Sequence, residues 1–443
     1  MPRNLAVFFA VASSLWCNVT SGDEAARVAK AVRAEVTRAN DDAAGRPLPV
    51  ACHWNSGRHP RSAEWGPKHQ MELIAEGHYL LPWFSHPAYG KDYSDEEMDY
   101  YEGPIRQACD LRLPIGLTAS QWESGLSREP YLELPPDENP NVVDKEGKVR
   151  PEVSPFGPVE PWEQIGRQWT SSPAMQKLQA WYPDPPRVIF LSNNEHRKLT
   201  WRRVEESSRW AEEYGEGKSD EFKRNAVAEG WIARYRALQE GMRQGLESDA
   251  WRQAARFVGY GAFGPEFIGR WGGWPAYSLH HAGRIDPNPL TWDGGSPSYY
   301  THDWNPSTDH TTWSPQIEFM NLVFMQAEAY RLNPDFWLEM SVWDGYDGPN
   351  REQQYPSMRS LYRKEGQTYD PARYGGFVQF GMWLLRPRAV REYRGWTFDP
   401  EEGMPYFMAI VEAVDRVHDN PILREFWRKG RLVPNRAHQH PYQ

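Results

Sequence analysis

The chain has 443 residues and a formal net charge of −10, with 50 Lys and Arg against 60 Asp and Glu. This acidic balance argues against nucleic-acid binding. Three cysteines are too few for a fold held together by disulfides. The length allows one large domain or two to three average ones, so the pattern of predicted elements has to decide between them.

Residues 1–22 have the form of a secretory signal peptide. Arg3 precedes an apolar run from Leu5 to about Trp16, small polar residues follow, and cleavage is expected near Gly22. The apolar run is too short to span a bilayer, and no other long apolar run exists. We therefore expect a secreted or periplasmic protein without a membrane span, whose mature part is a single domain over residues 23–443.

Short β-rich apolar runs alternate with amphipathic helical stretches along the mature chain. Eight repeats of this alternation predict an α/β fold, a single (β/α)8 TIM barrel with long loops on the face where the strands end. A doubly wound open sheet is the alternative, but the first strand is not followed by a glycine-rich turn. The predicted strands are 48–54, 78–84, 113–121, 187–193, 256–262, 298–303, 335–342 and 376–383, and the predicted helices are about 162–182, 220–248, 314–332 and 403–428.

Two segments are longer than ordinary connections. Residues 122–160 are rich in proline and contain a hairpin signal at Asp144-Lys-Glu-Gly147, and residues 263–297 are rich in Gly, Trp and Pro. Loops that follow the strands of such a barrel usually build its binding site. The chain also has 22 Trp and 22 Tyr. Flat rings with polar edges suit a carbohydrate ligand, although long loops packed through Trp would account for them as well.

The predicted fourth strand ends abruptly in polar residues. Its apolar run Val188 to Leu191 leads into Ser-Asn-Asn-Glu-His, which contains Asn194 and Glu195. The predicted seventh strand holds a second carboxylate, Glu339, among apolar residues. A buried carboxylate is costly unless it is paired or used. Two carboxylates in one barrel are the equipment of glycoside hydrolysis, in which one protonates the leaving oxygen and the other attacks the sugar.

These two segments resemble clan A of the glycoside hydrolases, the 4/7 superfamily. Its members have an Asn-Glu pair at the end of strand four and a nucleophilic Glu at the end of strand seven. The resemblance implies a retaining enzyme in which Glu195 is the acid/base, Glu339 is the nucleophile and Asn194 binds the sugar 2-hydroxyl. It also implies a Tyr after strand six, for which Tyr299 or Tyr300 is the candidate. The segments do not identify a family within the clan.

Other polar and aromatic residues follow the predicted strand ends, and we expect them to line the substrate cleft. Arg197 and Arg58 could clamp anionic groups, so a carboxylated or sulfated glycan is one option for the substrate. No cofactor is expected, and Asp303, Asp309 and His310 match no metal motif. The expected cleft residues are His53, Trp54, His86, Gln121, Trp122, Glu123, His196, Arg197, Tyr300, His302, Asp303, Trp343 and Trp383, the last implied by the resemblance as a platform under the sugar.

Structural roles compete with the catalytic ones for both acids. Glu195 could cap a helix that starts near Thr200, and Glu339 could be a core carboxylate paired with an arginine such as Arg373. Asp344 rivals Glu339 for the role on strand seven because it lies closer to the strand end.

Two other functions stay open. A polysaccharide lyase would use a Tyr or His base and an Arg, and would need no paired carboxylates. A glycan-binding barrel without activity would keep the aromatic residues alone. The sequence leaves the sugar, the linkage, endo or exo action and the oligomeric state open.

Overall fold

The structure is a computed structural model. It describes residues 48–50, 67–76, 80–85, 94–119, 122–192, 197–260, 291–296, 298–300, 333–343, 375–376, 378–379, 386–392 and 400–429. The predicted signal peptide and the predicted helix over 314–332 lie outside these ranges.

A nine-stranded sheet, in which every pair of neighbouring strands is parallel, forms the centre of the fold. Its order is β1-β11-β10-β8-β7-β6-β3-β2, and β9 also pairs with β10. The strands of this sheet are β1 (Leu48–Val50), β2 (Trp83–Ser85), β3 (Ile115–Ala119), β6 (Val188–Ser192), β7 (Ala255–Tyr260), β8 (Gly294–Ser296), β9 (Ser298–Tyr300), β10 (Trp337–Trp343) and β11 (Ala389–Glu392).

The central strands are buried on both faces, as continuous apolar runs in a parallel sheet require. On one face, Phe190 of β6 stacks with Phe257 of β7 at 5.4 Å between ring centroids and meets the edge of Trp169. Because alternate residues of a strand point to opposite faces, Ile189 and Leu191 lie on the other face, and both are buried.

The sheet curls until β11, the strand next to one end, contacts β2 at the other end. Strands β2 and β11 are six steps apart in the strand order, which is about 29 Å at ~4.8 Å per step. Yet the guanidinium of Arg391 on β11 lies 3.8 Å from the centroid of the Trp83 ring on β2. Only a strongly curved sheet allows this contact, so the fold is an α/β barrel-like sheet with helices on its outside. The pairing of β1 with β2 that would complete a ring is not among the strand pairs of the described residues.

Helices cover the outer face of the sheet. Three glycines let two of them, α4 (Glu160–Thr170) and α7 (Asp220–Gly245), approach closely. A Cβ at Gly166, Gly241 or Gly245 would overlap atoms of the facing helix or of the residues that end it. No helix in the described ranges is long and apolar enough to cross a membrane. The helices are α1 (Pro67–Glu76), α2 (Asp95–Asp110), α3 (Trp122–Gly125), α4 (Glu160–Thr170), α5 (Pro173–Trp181), α6 (Ser208–Glu213), α7 (Asp220–Gly245), α8 (Asp249–Ala254), α9 (Pro400–Asp419) and α10 (Pro421–Lys429).

The predicted hairpin is present as β4 (Asn141–Val143) and β5 (Val149–Val153), which pair antiparallel. Gly147 takes a positive φ of 78° in the turn, which glycine adopts without strain. The helix predicted over 162–182 is two helices, because Ser172 caps the second one by accepting a hydrogen bond from the backbone N–H of Met175. Pro173 at the start of that helix has no N–H with which to continue the first one.

The prediction of the eighth strand at 376–383 is wrong. Residues 375–376 and 378–379 are helical, and the strand that pairs with β10 is Ala389–Glu392. A short apolar run fits a buried strand or a buried helix equally well, so its pattern could not distinguish them. The sixth strand is confirmed over Ser298–Tyr300 as β9, and a further short strand, β8, precedes it. The other six predicted strands overlap observed ones.

Candidate active site

Parallel strands end on the same edge of a sheet, and the candidate site is built on that edge. We define the rim as the ends of four strands: Ala119 of β3, Ser192 of β6, Tyr260 of β7 and Trp343 of β10. Ala119 pairs with Ser192, and Ser192 pairs with Gly259 next to Tyr260, so three of these ends lie side by side. The chain reaches Asn194 and Glu195 two and three residues after Ser192, and Asp344 directly after Trp343.

The structure brings together Tyr300 and Trp343, two residues predicted to line the cleft. They are register partners at the ends of β9 and β10. The pairing places the backbone of Tyr300 next to the end of β10, and the contact of a tyrosine with the strand-seven acid stays a prediction. The predicted site residues that lie outside the described ranges are His53, Trp54, His86, Gln121, Asn194, Glu195, His196, His302, Asp303, Asp344 and Trp383. The reason given for Trp383, that it ends a strand, fails with the corrected eighth strand.

Glu339 forms an ion pair with Arg391 on the neighbouring strand. Its Oε2 accepts hydrogen bonds from Arg391 Nη2 at 2.6 Å and from Arg391 Nε at 2.9 Å. Its Oε1 accepts one from Trp337 Nε1 at 3.3 Å. Both side chains of the pair have 0% exposure. Each charge therefore offsets the cost of burying the other, which is the arrangement expected of a satisfied core carboxylate.

The depth of Glu339 in the strand bears on its chemistry. Leu338 is level with Ser192 of the rim, because Leu338 pairs with Gly295, Gly295 pairs with Gly259 and Gly259 pairs with Ser192. Glu339 follows Leu338 and therefore lies at the height of the rim. A nucleophile must reach the anomeric carbon of a sugar bound at the rim, with an oxygen free to attack. Glu339 has both oxygens hydrogen-bonded to Arg391 and Trp337. Its geometry therefore suits a structural counter-ion of Arg391. Arg391, and not the suggested Arg373, is the arginine that pairs with it.

Trp122 and Arg197 have different surroundings from each other. Trp122 is buried and stacks on Trp169 at 6.2 Å between ring centroids, so it packs in the core and does not offer an open face to a ligand. Arg197 is exposed, and its carbonyl accepts a hydrogen bond from the backbone N–H of Val153. Its side chain is thus available at the surface just after the Asn194-Glu195 segment.

A third carboxyl group lies close to the end of a strand. Glu123 follows β3 by four residues, is fully buried, and neither of its oxygens has a hydrogen-bond partner among the described residues. Burial raises the pKa of Glu123 to about 8, and its own backbone N–H and the charge of Lys198 oppose this rise only partly. Glu123 is therefore protonated at neutral pH, the state that a general acid or a hydrogen-bond donor needs.

Lys198 and Tyr235 accompany this carboxyl group, and neither was singled out from the sequence. The ammonium of Lys198 is 2.7 Å from the Tyr235 hydroxyl, and both side chains are buried. Burial and the nearby Glu123 raise the pKa of Tyr235 well above its ordinary value. The sequence signal for Lys198 was its position three residues after Glu195. Tyr235 lies in the middle of a long helix and gave no signal.

No group of three or more His, Cys, Asp or Glu among the described residues is arranged to hold a metal ion.

No protein-family model matches the sequence, and no curated protein matches it. Among solved structures, the chain is similar to the catalytic domain of the Bacillus sp. JAMB-750 GH26 endo-beta-1,4-mannanase. The TM-score is 0.38 and the identity is 10%, over 88% of this chain and 90% of that chain. At this level of similarity, nothing that the mannanase does carries over to this chain.

Proposed function

We propose that the protein is a secreted glycoside hydrolase that cleaves a polysaccharide or its oligosaccharides with retention of configuration. The observation that carries the proposal is the rim of a curled parallel sheet. Two carboxylates follow strand ends that form this rim. Glu195 comes three residues after Ser192, and Asp344 comes one residue after Trp343. Chain connectivity keeps both near the rim, since a residue spans at most about 3.6 Å.

In this proposal Glu195 is the acid/base. It gives its proton to the departing glycosidic oxygen and later takes a proton from the water that releases the sugar. Asn194 donates a hydrogen bond to the sugar 2-hydroxyl, a contact that strengthens as positive charge develops on the ring. Leaving-group protonation and this contact act on opposite sides of the scissile bond, so neighbouring residues can serve both.

The nucleophile is a carboxylate of the strand-seven segment. Glu339 is the residue that the sequence pattern indicates for this role, and Asp344 is its rival. The closed ion pair of Glu339 with Arg391 favours Asp344. We therefore propose Asp344 as the attacking group and Glu339 as the alternative. A separation of about 5–5.5 Å from the acid/base carboxyl accompanies the retaining mechanism.

Completion of the ring is part of the same proposal. The contact between Arg391 and Trp83 draws the ends of the sheet together, and a pairing of β1 with β2 would then close a (β/α)8 barrel. The exposed Arg197 supports a substrate that carries carboxylate or sulfate groups, since a guanidinium binds both in a bidentate manner.

The experiment is release of reducing sugar from neutral, uronate-containing and sulfated polysaccharides by the wild type and by Glu195→Gln, Asp344→Asn and Glu339→Gln. Glu133→Gln is the matched control, because Glu133 is an exposed carboxylate to which the proposal gives no role. Asp344→Asn should abolish turnover on every substrate, while Glu195→Gln should keep substrates with good leaving groups or regain turnover with azide. An unsaturated product that absorbs ultraviolet light would instead identify a lyase, and binding without any product would identify a glycan-binding barrel.

A further inference from the structure

The helix α10 begins as a separate unit after α9. Helix α9 ends at Asp419. The side-chain oxygen of Asn420 then accepts hydrogen bonds from the backbone N–H groups of Ile422 at 3.0 Å and Leu423 at 3.1 Å, which caps α10. Pro421 stands at the first position of α10, where the missing N–H costs nothing. The chain therefore stops one helix and starts a short new one.

One face of α10 presents apolar side chains to solvent. Ile422 is 78% exposed and Phe426 is 39% exposed. They are four residues apart, so they are neighbours on the same face of the helix. Among the described residues, the other exposed large hydrophobic side chain is that of Phe222 on α7, at 40%. Single exposed apolar residues are ordinary, whereas neighbouring ones mark a contact surface.

Positive charge accompanies this apolar face. Lys429 comes two helical turns after Ile422, so it lies on the same side of α10, and its side chain is 77% exposed. Its ion pair with Glu425 is a surface pair, which contributes little and leaves the ammonium accessible. Arg424 is exposed as well. The segment 421–443 holds five Lys and Arg against one Glu, a net charge of +4 in a chain whose net charge is −10.

A second copy of this chain fits the apolar face poorly. Two copies of α10 placed face to face would bring two positive segments together, which is unfavourable. A contact with another part of the second copy needs an apolar patch there, and the described surface offers the single ring of Phe222. An anionic lipid surface supplies both chemistries at once: an apolar boundary below the headgroups and phosphates for the basic side chains.

We propose that α10 docks the protein on an anionic phospholipid surface. Ile422 and Phe426 enter the boundary between headgroups and acyl chains, and Lys429 lies against the phosphates beside them. The other basic residues of the segment 421–443 supply attraction at longer range, while the acidic remainder of the chain is repelled and faces away from the surface. The proposal does not depend on the enzymatic activity, so it holds or fails separately from the proposed function.

Co-sedimentation of residues 23–443 with vesicles tests the proposal, because this chain lacks the apolar run of the predicted signal peptide. The wild type should sediment with vesicles of phosphatidylcholine and phosphatidylglycerol in equal parts, and not with vesicles of phosphatidylcholine alone. The double variant Ile422→Ser, Phe426→Ser should bind the anionic vesicles about tenfold more weakly or less. Phe222→Ser is the matched control, since Phe222 has the exposure of Phe426 on another helix, and it should bind as the wild type does.

Three outcomes would overturn the proposal. The first is absence of wild-type binding to the anionic vesicles, or equal binding by the double variant. The second is a dimer, seen by sedimentation velocity without lipid, that dissociates in the double variant, because the face would then belong to a second copy. The third is loss of binding to dextran sulfate in the double variant, because this polymer has charge and no acyl phase. Unchanged thermal unfolding of the variants, expected for exposed side chains, shows that the binding results come from folded protein.

Discussion

Arg391 and Glu339 form an ion pair that solvent does not reach, on two neighbouring strands of the sheet. The guanidinium also lies 3.8 Å from the centroid of the Trp83 ring, which belongs to the strand at the other end of the sheet order. One arginine thus neutralises an acid buried in β10 and joins β11 to β2 across the curled sheet. This double role makes the pair a test of both the fold and the assignment of the strand-seven acid.

Removal of Arg391 alone should lower the free energy of unfolding more than removal of both Arg391 and Glu339. Arg391→Met leaves the charge of Glu339 buried without a partner, so we expect a loss of about 3–5 kcal/mol in the free energy of unfolding. The double variant with Glu339→Leu should recover much of that loss, because no buried charge is left. Denaturant unfolding of the single and double variants measures this. A loss below about 1 kcal/mol in Arg391→Met would contradict the buried pair.

Substitution of Glu339 and substitution of Asp344 should have different effects on turnover. Glu339→Gln should reduce stability but keep turnover per folded molecule within about tenfold of the wild type, because its carboxylate acts as a counter-ion. Asp344→Asn should keep the stability and lose turnover. Single-turnover rates on folded protein, quantified by far-UV circular dichroism, distinguish the two. The reverse pattern would assign the nucleophile to Glu339.

Close packing of α4 and α7 depends on the absence of side chains at their contact. A Cβ on Gly241 would overlap the carbonyl oxygen of Glu163, so Gly241→Ala should force the helices apart and cost about 1–3 kcal/mol. Gly376, where a Cβ meets nothing within 4 Å, offers the control Gly376→Ala. Thermal unfolding of both variants checks the prediction. Equal stability of the two would mean that the helices are less closely packed than described.

Much of the sheet could be predicted from the sequence because its strands are short, β-rich and apolar. The segment Val188–Ser192 is an example, and its polar continuation pointed to the rim. The eighth strand was assigned wrongly because the apolar run at 376–383 fits a helix as well as a strand. The strand that forms instead, Ala389–Glu392, is short and half polar, so its pattern was weak.

The partners of the buried charges could not be predicted in the same way. A counter-ion for Glu339 was the alternative to its catalytic role, with Arg373 as the example, and the choice of Arg391 depends on the register that pairs Glu339 with Ala389. Glu123, Lys198 and Tyr235 are far apart in sequence and come from a short helix, a loop and a long helix. Only the folded chain buries all three and brings the Lys198 ammonium within 2.7 Å of the Tyr235 hydroxyl, which composition and spacing cannot indicate.

The central claim is that this chain hydrolyses glycosidic bonds with Glu195. The most direct measurement is reducing-sugar release from a panel of neutral, uronate-containing and sulfated polysaccharides, with wild type, Glu195→Gln and the exposed control Glu133→Gln run in parallel. We expect release by the wild type and by the control, and little or none by Glu195→Gln, on at least one polymer. Equal release by Glu195→Gln and the wild type would contradict the assignment of the acid/base, and silence of all three proteins on every polymer would contradict the hydrolase function.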